Sequence, residues 1–102
     1  MTHYEKLVRD RIPEILESKG VAYEQRIATD EEYRTELIKK LQEEATEFAE
    51  SDGDIEELAD VLEVIAALRS LAEYNTVTSI QEKKRTERGG FLKRYILKGE
   101  KP

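Results

Sequence analysis

The sequence is 102 residues long, has no cysteine, and sets 17 Lys and Arg against 23 Asp and Glu for a net charge of −6. A domain of this size has limited apolar surface to bury, so association with further copies is expected, while the acidity argues against a nucleic-acid polymer as partner. The missing cysteines exclude disulfide frameworks, thiolate zinc sites and thiol nucleophiles. The single histidine, His3, sits at an N-terminal end expected to fray, so any chemistry must come from carboxylates, cations and hydroxyls.

No apolar run approaches the roughly 18 residues of a membrane span, and no apolar signal-peptide core opens the chain. A soluble, cytoplasmic protein with no membrane partner is the expectation. Without repeats or a long linker, one domain is expected over residues 1–102.

In chain order, the spacing of Ile12, Ile15 and Leu16 predicts a short helix over 8–19, with Pro13 tolerated in its first turn and Gly20 as its stop. Val21, Tyr23 and Ile27 alternate loosely, which suits a short strand near 21–28. Thr29 or Asp30 then offers an N-cap for a long helix to about residue 51. Residues 51–54 form a tight connection, and Asp54 caps a second long helix to about Tyr74. Asn75 breaks it. Thr78 or Ser79 can cap a third, basic helix that ends at Gly89-Gly90, and residues 91–97 alternate apolar and basic side chains as a second strand or an extended arm. The fold class is therefore all-α: a helical bundle built on an antiparallel αα-hairpin.

Winding the long helices at about 100° per residue shows where their acids fall. With Tyr33 at 0°, Leu37, Leu41, Phe48 and Ala45 form a stripe; Glu44 falls inside it at about 20°, and Glu47 on its flank. With Ile55 at 0°, Leu58, Val61, Leu62, Ile65, Leu68 and Leu71 spread over a wide arc; Glu57 falls within it at about 200°, and Asp60 at its edge. Glu36, Glu43, Glu56 and Glu63 face the other way. Two consecutive helices thus each carry an acid pair at i, i+3 beside the interior.

Four such carboxylates carry desolvation penalties and repel one another. Protonation, paired cations or a divalent ion must relieve them. An all-oxygen ligand set suits a hard ion, Mg²⁺ or Mn²⁺. The third helix adds Lys83, Lys84, Arg85 and Arg88; Lys84 and Arg88 are i, i+4 neighbours able to grip a polyphosphate together, with Lys6, Arg9 and Arg11 a weaker cluster of the same kind. An acidic metal centre with separate cations points to a metal-bound anionic substrate, of which a nucleotide polyphosphate is the commonest example.

The run Leu41-Gln42-Glu43-Glu44-Ala45-Thr46-Glu47-Phe48 followed by Glu56-Glu57-Leu58-Ala59-Asp60-Val61-Leu62 resembles the ExxE…ExxD signature of the all-α nucleoside triphosphate pyrophosphohydrolases, the superfamily of MazG, the dimeric dUTPases and phosphoribosyl-ATP pyrophosphohydrolase. The opening from Tyr4 to Pro13 and the segment from Lys84 to Phe91 look like its small MazG-like branch, so the likeness covers nearly the whole chain. It implies Mg²⁺-dependent cleavage between the α- and β-phosphates of a nucleoside triphosphate, giving monophosphate and pyrophosphate. Carried over, Glu44, Glu47, Glu57 and Asp60 are metal ligands, Glu44 or Glu47 acts on the attacking water, and Lys84 and Arg88 contact phosphate. The resemblance further implies a homodimer or homotetramer that pairs helices between subunits.

Two alternatives stand beside this reading. One is phosphoribosyl-ATP as the substrate of the same chemistry. The other is a non-catalytic helical dimerisation module whose acids only keep it in solution.

Overall fold

The computed structural model describes residues 5–100; His3 and Tyr4, named above, lie outside them. The described residues are helical or irregular: α1 (Ile12–Ser18), α2 (Asp30–Glu50), α3 (Ile55–Arg69), a 3-10 turn (Ala72–Tyr74) and α4 (Val77–Arg88). The all-α expectation holds at that level.

Helix α2 starts where its sequence offers a cap. The Thr29 hydroxyl accepts a hydrogen bond from the Glu32 backbone N–H at 3.2 Å, and Asp30, Glu31 and Glu32 place negative charge on the positive end of the helix. Asp54 caps α3 in the same way, accepting from the Glu56 backbone N–H at 3.2 Å. Between the helices the chain reverses through Asp52 (φ 58°) and Gly53 (φ 86°), the left-handed conformations that end a helix within a few residues. Arg34, near the start of α2, donates to Glu73 beyond the end of α3 at 2.7 Å, so these two ends lie side by side. Packing between α2 and α3 dominates the tertiary structure.

Helix α1 covers only Ile12–Ser18 of the expected 8–19, and other elements differ as well. Helix α3 stops at Arg69, not near Tyr74: the Ser70 hydroxyl donates to the Ala67 carbonyl at 2.6 Å, and Leu71 is extended (ψ 138°) before the 3-10 turn. Helix α4 begins at Val77, ahead of Thr78 and Ser79, with Thr76 at its N-cap and no side-chain cap; the Thr78 hydroxyl, inside the first turn, accepts from Arg69 Nη2 at 2.8 Å. No strand forms among the described residues, neither at 21–28 nor at 91–97. A lone strand has no ladder partner here, and Arg26 instead ties the first segment down by ion pairs to Glu5 (2.9 Å) and Glu32 (2.5 Å).

The core is small. Leu37 (3% exposed) on α2 and Val64 (8%) on α3 are the buried apolar residues among those described, with Tyr33, Leu41, Phe48, Val61, Ile65 and Leu68 half-buried around them. The chain exposes 9797 Å² of surface. A compact monomer of 11.8 kDa exposes about 5,900 Å². Its radius of gyration, 18.0 Å, likewise exceeds the roughly 13 Å of a compact chain this long.

Candidate metal centre

Glu44 lies on the α2 stripe between Leu37 and Phe48, and the fold buries it there to 8% exposure. Opposite it, α3 presents Glu57 and Asp60, one helical turn apart and both half-buried. One carboxylate oxygen from each of Glu44, Glu57 and Asp60 lies within 4.8 Å of the other two. The turn at 51–54 and the Asp54 cap fix where α3 begins, and helical periodicity then sets the side that Glu57 and Asp60 take.

Glu47 takes a different place. It is exposed and stands outside the three-oxygen group, yet it is near enough for its charge to act on both Glu44 and Glu57. The structure therefore separates the four acids into a converging trio and one acid on the rim.

The electrostatics of the group follow from this crowding. The Glu44 carboxyl is pushed above its ordinary range, first by burial, then by a shared hydrogen bond with Glu47 and the charges of Glu47 and Asp60; Lys40 acts the other way. Glu57 is pushed up too, first by desolvation and then by Glu47, Asp60, Asp54 and Glu56. Its Oε2 is buried and has no hydrogen-bond partner among the described residues. A buried carboxylate oxygen left without a donor is costly, and it is relieved by a proton or a cation. Three converging oxygens with one such orphan form a donor set that fits a small hard divalent ion.

Two cations reach the group. Lys40 Nζ lies 3.7 Å from Glu44 and 3.8 Å from Glu43, at the i, i+4 and i, i+3 positions of the same helix. Arg9, from the irregular segment before α1, donates to Asp60 Oδ1 at 2.7 Å. Lys6 pairs with Glu43 at 3.2 Å, while Arg11 pairs only with its neighbour Glu14 at 2.6 Å. Lys40 carries a signal that the sequence itself offers, an i, i+4 spacing to Glu44, whereas the Arg9 contact with Asp60 has no spacing that announces it.

Lys84 and Arg88 are not brought to the acids in this chain. Helix α4 has no substantial packing on α2 or α3, and neither residue forms an ion pair or side-chain hydrogen bond among the described residues. Among those residues, no helix is long and apolar enough to cross a membrane. The chain matches no protein-family model, and no curated protein or solved structure is similar enough to it to count as a match.

Proposed function

We propose that the chain is a cytoplasmic, Mg²⁺-dependent nucleoside triphosphate pyrophosphohydrolase of the MazG-like kind. In this reading, α2 and α3 form the hairpin of a helical bundle that a homodimer or homotetramer completes. One observation carries the proposal: Glu44, Glu57 and Asp60 converge at a partly buried point where a Glu57 oxygen has no donor.

Glu44, Glu57 and Asp60 would hold the ion, which supplies an acidified water and offsets phosphate charge. Glu47, exposed and with its charge acting on Glu44, would orient that water or accept its proton. Arg9 supplies a guanidinium beside Asp60 for a phosphate oxygen. Lys84 and Arg88 serve the leaving pyrophosphate, a role that calls for α4 of a second copy. Attack at the α-phosphorus breaks the α–β anhydride bond and releases nucleoside monophosphate and pyrophosphate.

The test is turnover of a nucleotide panel, phosphoribosyl-ATP included, with and without Mg²⁺ and with products resolved. Monophosphate plus pyrophosphate, formed only with Mg²⁺ or Mn²⁺, is the expected result. Inorganic phosphate as sole product overturns the bond assignment. No turnover, with a melting temperature indifferent to Mg²⁺, returns the chain to a non-catalytic dimerisation module, since an ion bound only by the folded state must stabilise it.

A further inference from the structure

Residues 77–98 are basic and apolar together, and beyond the Arg69–Thr78 hydrogen bond at the start of α4 no substantial packing on α2 or α3 holds them among the described residues. They carry seven Lys and Arg against two Glu, whereas residues 30–69 carry 14 acids against four basic side chains. Among the described residues none of the seven cations forms an ion pair or side-chain hydrogen bond. Past α4 the chain turns at Gly89 (φ 79°), and Phe91 (97% exposed), Leu92, Ile96 (94%) and Leu97 all stand almost wholly in solvent. Four large apolar side chains left this open within seven residues are not ordinary surface.

The acidic pair has the complementary defect. Ile38 on α2 and Ile55, Leu58 and Leu62 (58% exposed) on α3 are large apolar side chains left uncovered. The surface in excess of a compact monomer is about 3,900 Å² per chain by the same scaling. Obligate dimers commonly bury roughly 1,000–2,500 Å² per partner, so a large interface is available without unfolding anything. Charge sets the pairing: a +5 arm meeting its like on a second copy is repelled, and meeting the −10 helix pair is attracted.

We propose that residues 77–98 form an exchanged arm that lies across the acidic α2/α3 pair of a second copy of this chain. The arm covers Leu58 and Leu62 with Phe91, Ile96 and Leu97 and sets its cations against the partner's acids. This inference rests on the oligomeric part of the proposed function and not on catalysis.

The absence of cysteine allows a single spin label at Gly99→Cys, a position with open space around an added Cβ. Labelled chain is mixed with ¹⁵N-labelled native chain, and the mass of the assembly is read by sedimentation. Expected is a dimer or larger in which amides of α2 and α3 on the ¹⁵N chain are broadened. In the full chain, Phe91→Ser with Ile96→Ser should weaken association at least about tenfold per side chain, because each loses its burial in the partner. The helical circular dichroism should be unchanged. A stable oligomer without intermolecular broadening overturns the arm and leaves the oligomeric reading standing. A monomer at about 100 μM overturns both. Broadening confined to the labelled chain, or arm signals that respond only to vesicles containing phosphatidylglycerol, assigns the arm to its own chain or to a lipid surface and overturns the exchange.

Discussion

Arg9 Nη2 sits 2.7 Å from Asp60 Oδ1, across 51 residues of chain. An irregular N-terminal segment thereby places a guanidinium on the carboxylate group that α2 and α3 assemble. Both side chains are about half exposed, so the pair contributes at most about 1 kcal/mol to stability.

Arg9→Ala should accordingly leave the melting temperature nearly unchanged. With Asp60 relieved of its competing cation, Mg²⁺ should bind up to about fivefold more tightly, the equivalent of that pair energy. Turnover should fall if the guanidinium serves phosphate. Calorimetric titration of Mg²⁺ and steady-state kinetics read the two effects separately, and weaker Mg²⁺ binding would show that Arg9 organises the acids.

Glu44→Gln and Glu57→Gln should each abolish Mg²⁺-dependent turnover and the Mg²⁺-induced rise in melting temperature. Without Mg²⁺ these variants should be as stable as the parent or more so, because one of several repelling carboxylates is gone. Glu56→Gln and Glu63→Gln, both exposed, are the controls. Parental activity in both the Glu44 and Glu57 variants removes the centre.

The raised carboxyls give a pH signature. Folding binds protons more tightly at Glu44 and Glu57 than their ordinary value of 4.5 allows, so their contribution to stability falls as pH rises above 4.5. The Glu44→Gln/Glu57→Gln double variant should gain on the parent as pH rises from about 4.5, and converge with it below, where both carboxyls are protonated in either state. Denaturant melts at four or five pH values measure the difference. Mg²⁺ affinity of the parent should rise over the same interval, since the ion needs both carboxylates ionised.

Arg88→Ala should lower kcat/KM by roughly 10- to 150-fold, the value of a charge-assisted hydrogen bond. Mg²⁺ binding should be unaffected. Arg88→Lys should recover activity only in part, because an ammonium cannot engage phosphate oxygens in bidentate fashion. Mixing Arg88→Ala chains with Glu44→Gln chains gives a stricter check. Restored activity in the mixed oligomer requires the cation and the acids to come from different copies.

The placement of Glu44 was legible because it follows from helical periodicity alone: an acid in phase with Leu37 and Leu41 must face where they face. Glu57 and Asp60 followed from the same arithmetic, and the Thr29 and Asp54 caps from residue type. The end of α3 was not legible. Ser70 and Leu71 are compatible with a continuing helix, and a hydroxyl taking the Ala67 carbonyl decides the matter. Nor could the sequence show Arg9 on Asp60, since a contact between an irregular segment and a helix has no period. The exclusion of Glu47 from the trio is likewise a matter of side-chain direction that two i, i+3 pairs leave open.

Glu44 and Asp60 are only 16 positions apart, on either side of the Ser51–Asp54 connection. Bringing such near neighbours together costs little loop-closure entropy, so the acids meet as soon as α2 and α3 dock. Their mutual repulsion then belongs to the folding barrier as well as to the finished protein. If the proposed ion relieves that repulsion, it should speed refolding more than it slows unfolding, a difference that stopped-flow refolding with and without Mg²⁺ reads.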